Sequence, residues 1–395
     1  MPLIQEKVNQ AIETLKELDV DLWLTFVRET SGVRDPILDF LIGENDLTWH
    51  SAIILTRKGE KIFILGNLEK DTALRMGVYN EVIGYDKSAK ELLRDTIIRL
   101  APRQIAVNTS RNNVHADGLT HSMYEELRDY LAGTSYTDRL ISAEPVINAM
   151  RGRKTQTELA RIQKAVDITN EIYQKTFAFI KVGMTEIEVA DYMHALMKEY
   201  GVGHAWPSEN NPAVNSGPNS PVGHNGPTDI RIEPGHVIHF DFGVKYEGYC
   251  SDIQRVAYVL REGETEAPIE VQRGFITIRT AIEQSRGAMK AGVTGNSIDT
   301  ISREIVTDSG YPEYMYALGH QLGRVAHDGG ALLGPQWEKY GDSPNQKLEI
   351  GQVYTIEPGL AVSQGYIGLE EDVVLTDKGA IYIGDPQKEI VLIKG

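Results

Sequence analysis

The sequence predicts an α/β domain over residues 1–150, followed by a larger α+β domain over 151–395 built from two copies of one unit. Three observations predict it. Helical and strand patterns alternate through the first 150 residues. The second part repeats its helix starts. It also repeats a strand hairpin that carries acids.

Size and composition set the bounds. The chain has 395 residues, enough for two or three domains, and its apolar and charged fractions of 41% and 24% are those of a globular protein. A core of that size needs no covalent staples, and the single cysteine, Cys250, permits no internal disulfide. A reducing, cytoplasmic location is therefore expected. The first residues, MPLIQEKVNQAIETLKEL, form an amphipathic helix with charges throughout and lack the features of a signal peptide. No apolar run approaches membrane length, so no membrane partner is expected. The formal net charge of −16 argues against a nucleic-acid partner.

In the first domain the pattern gives a helix over Lys7–Leu18 and a strand at Asp21–Phe26. A hairpin follows, Trp49–Leu55 with Lys61–Leu65. Next come a helix near Lys90–Leu100, a strand at Gln104–Asn108 and a helix near Thr120–Leu131. His50, His115 and His121 are scattered and suggest no chemistry. Ile147–Lys154, basic and containing Gly152, reads as the domain boundary. Thr155 and Glu158 then form a capping box for a helix running to about Ile180.

The repeat begins there. Lys181–Gly201 and Lys290–Gly310 both open with Lys-x-Gly, an apolar residue and an N-capping Thr, and both end in Gly. Glu233–Gly243 (EPGHVIHFDFG) likewise matches Glu349–Gly359 (EIGQVYTIEPG), with Asp241 against Glu357. Downstream, Ser251–Ala257 and Glu370–Thr376 each put an acid before an apolar strand. Two such copies pack about a pseudo-two-fold axis, with a site where they face. His236–Val256 reads as a hairpin, with Val237, His239, Asp241 and Gly243 on one face, and the return arm brings Asp252 alongside Asp241.

The candidate ligands are thus Asp241 and Asp252 from the first copy and Glu357 and Glu371 from the second. The candidate histidines are His320 and His327 in a Gly-rich loop, and His224. Four carboxylates exceed what one divalent cation balances, whereas two cations balance them. Such cations, about 3.5–4 Å apart, lower the pKa of a bridging water and serve hydrolysis. Oxygen-rich coordination with one imidazole suits Mn²⁺, Co²⁺ or Zn²⁺ without choosing among them, and Mn²⁺ is the first expectation.

These motifs carry a resemblance. Asp-Phe-Gly, Gly-Tyr-x-Ser-Asp, Gly-His with a second His seven residues on, Ile-Glu-Pro-Gly and Glu-Asp-x-Val-Leu-Thr together resemble the pita-bread metallopeptidases over residues 150–395. The added N-terminal domain resembles the prolidase, aminopeptidase P and creatinase branch. The resemblance implies an enzyme that cleaves the peptide bond before proline in small peptides. Asp241 would hold one metal, Asp252 and Glu371 would bridge two, and His320 with Glu357 would hold the second. Glu357 would also accept a proton from the attacking water, and His224 and His327 would bind substrate. Glu370 alternates to the opposite strand face, so only one of the adjacent acids can reach the metals, and the resemblance selects Glu371. It further implies a homodimer.

Other side chains read as structural. His204, Trp206 and Tyr314 suit loop or core packing, His236 and His239 suit packing around Asp241, and Cys250 suits a small buried residue. Three positions depart from the family pattern: Leu369, where an arginine two residues before the bridging acid is usual; Asp328, where glutamate is usual; and Gln254, where threonine is usual. They put strict dipeptidase action in doubt. Hydrolase or lyase action on a small non-peptide substrate is the alternative, and a non-catalytic interaction module the remotest.

Overall fold

The computed structural model describes residues 2–223 and 225–395 and divides the chain into two units, Met1–Arg151 and Gly152–Gly395. The first unit holds a six-stranded mixed sheet. Leu22–Val27 lies in its interior, antiparallel to Ser51–Thr56 and parallel to Ile105–Val107. Leu22–Val27 and Ser51–Thr56 are buried along their whole length, because helices cover both faces. The predicted elements are all present. The pattern missed the helix Asn67–Met76 and the edge strands Glu81–Tyr85 and Leu140–Ser142. The basic stretch read as a boundary is mostly the helix Glu144–Gly152, whose Val146, Ile147 and Met150 are buried in the first unit's core.

The second unit repeats in its backbone hydrogen bonds. Capped helices begin at Glu186 after Thr185 and at Gly295 after Thr294. The turn before the first has Gly183 N donating to Ile232 O, and Ile232 N to Met184 O, both at 2.8 Å. The turn before the second has Gly292 N donating to Leu348 O, and Leu348 N to Val293 O, again at 2.8 Å. Gly235 and Gly351 both sit near φ +90°, where a Cβ would strain the backbone. Gly235 N donates to Val259 O at 2.7 Å, and Gly351 N to Leu375 O at 2.8 Å.

This register corrects the downstream match expected from sequence. If Gly235 corresponds to Gly351 and Val259 to Leu375, then Gln254 corresponds to Glu370 and Asp252 to Gly368. The strand pairs agree. Val237–Phe242 runs antiparallel to Ile253–Val259 with Asp241 opposite Gln254. Val353–Ile356 runs antiparallel to Glu371–Thr376 with Ile356 opposite Glu371, so Glu357 falls opposite Glu370 at the next rung. No described helix is long and apolar enough to cross a membrane.

Candidate metal centre

Strand ends deliver the acids. Asp241 is the one half-buried residue of Val237–Phe242, whose other residues are all buried. Asp252 lies just before Ile253–Val259, two residues ahead of the position opposite Asp241, and its backbone N donates to Asp372 Oδ2 at 3.1 Å. Glu357 follows Val353–Ile356, and its backbone N donates to Leu318 O at 2.7 Å. That bond draws the Gly-rich loop against the second hairpin. Thr355 N donates to His320 O at 2.9 Å, and His320 N to Thr355 Oγ1 at 3.3 Å. His320 Nδ1 lies 3.3 Å from Gln321 O, an acceptor, so this nitrogen carries the proton and Nε2 is left with its lone pair toward the acids. Nε2 is 3.3 Å from Glu357 Oε1, 3.7 Å from Asp252 Oδ2 and 4.0 Å from Glu370 Oε1. Ligand atoms of Asp252, His320 and Glu370 all lie within 4.8 Å of one another.

The second hairpin overturns one expectation. Glu371 does not face this cluster. Its Oε2 accepts from Arg255 Nη2 at 3.1 Å, and its Oε1 from Arg279 Nη1 at 3.3 Å and Gln387 N at 2.9 Å. Only one of two adjacent strand residues can face a given side. The two arginines claim Glu371, so Glu370 is the acid on the cluster's side. The position two residues before that acid is then Gly368, with Leu369 buried in the core.

The electrostatics are those of a site built around positive charge. Asp241 Oδ1, both Glu370 carboxylate oxygens and Asp372 Oδ1 are buried with no hydrogen-bond partner among the described residues. Burial pushes Asp241 up to about 7. Asp252, Glu357 and Glu370 are each held well above the ordinary carboxylate range, by burial first and then by repulsion from the other acids of the group. Glu371 is raised by burial too, but Arg255 and Arg279 pull it back. Orphaned carboxylate oxygens beside one imidazole lone pair fit divalent cations, whose charge would reverse the upward shifts.

The remaining residues divide. His327 is exposed, its ring 4.2 Å from that of His320 and nearly perpendicular to it. His224 lies outside the described residues. Asp328 is buried, accepting from Arg324 N at 2.9 Å with Lys154 Nζ 4.0 Å away, so the shorter acid anchors the loop carrying both histidines. Cys250 is buried and its thiol is pushed up to about 12 by burial, which leaves it no nucleophilic character. Trp206 donates to Asn210 O and Tyr314 to Ser302 Oγ.

Two features escaped the sequence reading. Tyr316 and Tyr366 bring their hydroxyls within 2.7 Å, and both sense the Glu357 charge. Buried His239 bonds to Gln254. The sequence offers both residues, and what it hides is the diagonal register that brings them together.

Comparison with known proteins agrees with this geometry. The profile of metallopeptidase family M24 matches residues 160–377, more than half of the chain. An uncharacterized peptidase of Staphylococcus saprophyticus is 28% identical over 381 residues, covering 94% of this chain and 97% of its own length. An Xaa-Pro dipeptidase from Bacillus anthracis superposes with a TM-score of 0.73 at 23% identity, over 99% of this chain and 100% of its own. An X-Pro aminopeptidase from Thermotoga maritima gives 0.71 at 25% identity, over 96% and 100%.

Proposed function

Because the chain belongs to metallopeptidase family M24, we propose that it hydrolyses the peptide bond before proline in small peptides. Asp241, Asp252, His320, Glu357 and Glu370 would hold two divalent cations, Mn²⁺ foremost. The observation that carries this reading is the set of buried, mutually repelling carboxylates whose free oxygens converge with His320 Nε2. When bound, the cations supply Lewis acidity and make a water nucleophilic near neutral pH.

The chain's own residues do the rest. Asp252 and Glu370, whose ligand atoms cluster with that of His320, would serve both ions. Glu357 would accept the proton of the attacking water through an oxygen held near His320. His327, exposed beside His320, would donate to the oxygen on which charge develops, with His224 as its proposed partner. The substrate class is drawn from the names of the similar structures, an Xaa-Pro dipeptidase and an X-Pro aminopeptidase.

A second reading keeps the site and changes the substrate to a small non-peptide amide. Gly368 favours it, since no arginine stands two residues before Glu370. One experiment separates the readings. The chain is loaded with Mn²⁺, its metal content is measured, and Ala-Pro, Ala-Pro-Ala and Ala-Ala-Ala are offered. About two ions per chain and cleavage of the tripeptide before proline support an aminopeptidase. Cleavage of Ala-Pro alone means a dipeptidase. No cleavage of any of them sinks the peptide substrate, and no bound metal sinks the site. A homodimer is the proposed assembly, to be checked by light scattering.

A further inference from the structure

Behind Glu357 runs a line of buried polar side chains. Gln254 Nε2 donates to Glu357 Oε2 at 3.2 Å. Gln254 Oε1 lies 2.9 Å from His239 Nε2, and His239 Nδ1 lies 3.1 Å from Asn215 Oδ1. Asn215 Nδ2 donates onward to Pro221 O at 2.9 Å and Ser220 Oγ at 3.2 Å. Strand register builds the line. Asn215 is opposite His239, and Gln254 is opposite Asp241, two residues along from His239, so all of them share one face. Asn215, His239 and Gln254 are each more than nine-tenths buried. An amide at such depth costs stability unless bonded, and here both polar atoms of Gln254 are bonded.

Gly368 closes the arrangement. Its φ is outside the left-handed region, so the backbone does not demand glycine. Space does. A Cβ at 368 would lie 2.5 Å from Gln254 Oε1 and 2.6 Å from His239 Nε2. Any side chain there would displace the line.

From this geometry we infer that Gln254, held by the Nε2–H of His239, is a positioning residue for the Glu357 carboxylate, and that Gly368 is glycine to leave room for it. The inference rests on the reading of Glu357 as metal ligand and proton acceptor. Tying Oε2 to the Gln254 amide fixes the carboxylate plane. Oε1 is then presented toward His320 Nε2, 3.3 Å away. A carboxylate without that bond could rotate out of the geometry both roles require.

The test reads metal binding directly. Gln254→Met keeps length and burial but removes both polar atoms. Mn²⁺ affinity is measured by titration calorimetry and the site by its EPR signal, alongside kcat and KM on a peptide the wild type cleaves. The weaker Mn²⁺ site should lose about tenfold or more in affinity, and kcat should fall with it while KM barely moves. Gly368→Ala should give the same pattern by pushing Gln254 aside, and it remains informative if Gln254→Met fails to fold. The double variant should be no worse than Gln254→Met, because both act on one carboxylate. Wild-type Mn²⁺ affinity and kcat in Gln254→Met, or additive losses in the double variant, would overturn the positioning role. A wild-type chain that binds no Mn²⁺ overturns the metal reading, and the positioning role with it.

Discussion

The two halves of the second unit share a backbone plan and put different side chains on it. Where the first half has Asp252 and Gln254, the second has Gly368 and Glu370. The acid is thus shifted by one step of the pleat between the copies. Backbone hydrogen bonds match from copy to copy within about 0.1 Å, while of the side chains facing the site only the acids Asp241 and Glu357 correspond. The repeat supplies strand ends at the right separation. The chemistry comes from breaking the symmetry on top of it. A carboxylate at 254 would add a further negative charge to an already repelling group, and the amide there donates to one instead.

The sharpest way to break this comparison is at Glu370 and Glu371. Glu370→Gln or Asp252→Asn should cost more activity than the roughly 100-fold that bounds residues behind a ligand, and should lower the Mn²⁺ content. Glu371→Gln should keep its metal. It should instead lose about 3–5 kcal/mol of stability in urea unfolding, since Arg255 would be left buried without its counter-charge, while Arg279 keeps Glu283. If Glu371→Gln loses metal and Glu370→Gln does not, the assignment of the two acids is reversed.

A middle-sized effect is expected from pH. Without metal, Asp241 titrates at about 7 in the folded chain against an ordinary 3.8, and Asp252, Glu357 and Glu370 are raised in the same direction. Between those limits the folded chain keeps protons that the unfolded chain has released. The metal-free protein therefore loses stability as pH rises from about 4 through about 7, the Asp241 part of the loss falling over that range. Mn²⁺ should remove this slope. Urea midpoints at about pH 5 and pH 7, with and without Mn²⁺, check the sign. A metal-free chain that gains stability over this range contradicts it.

The smallest effect compares the helix starts. Thr185 and Glu188 form a complete capping box, whereas Thr294 caps alone by accepting from Ser297 N. Thr185→Ala and Thr294→Ala should each cost about 1 kcal/mol. Glu188→Ala should cost stability as well, because Thr185 N donates to Glu188 Oε2 at 2.7 Å, and no loss there would mean that this arm of the box adds nothing.

Much of this was legible in the sequence. The paired acids Asp241 and Glu357 and the twin helix starts follow from period and spacing, while His320 is singled out among the candidate histidines by the family resemblance. The choice between Glu370 and Glu371 did not. Alternation says that one of them faces the site, but the choice is made by Arg255 and Arg279. The latter sits on a helix far from Glu371 in sequence. The line from Gln254 to Asn215 was equally hidden, because it joins strands through one diagonal contact and a missing side chain at Gly368.

One carboxylate noted only as the first residue of a capped helix has a wider consequence. Buried Glu186 accepts from Ser216 N at 2.6 Å and from Thr228 N at 2.9 Å and Thr228 Oγ1 at 2.7 Å. It clasps both ends of the segment 216–228, which becomes a closed ring hung on one side chain. What happens inside such a ring reaches the strands that bear the acids through Ser220 and Pro221, which Asn215 holds beside His239. Even doubling its length would cost only about 0.6 kcal/mol of closure entropy. Its length is therefore freer to vary than Ser220 and Pro221, which hold Asn215 at the far end of the line to Glu357.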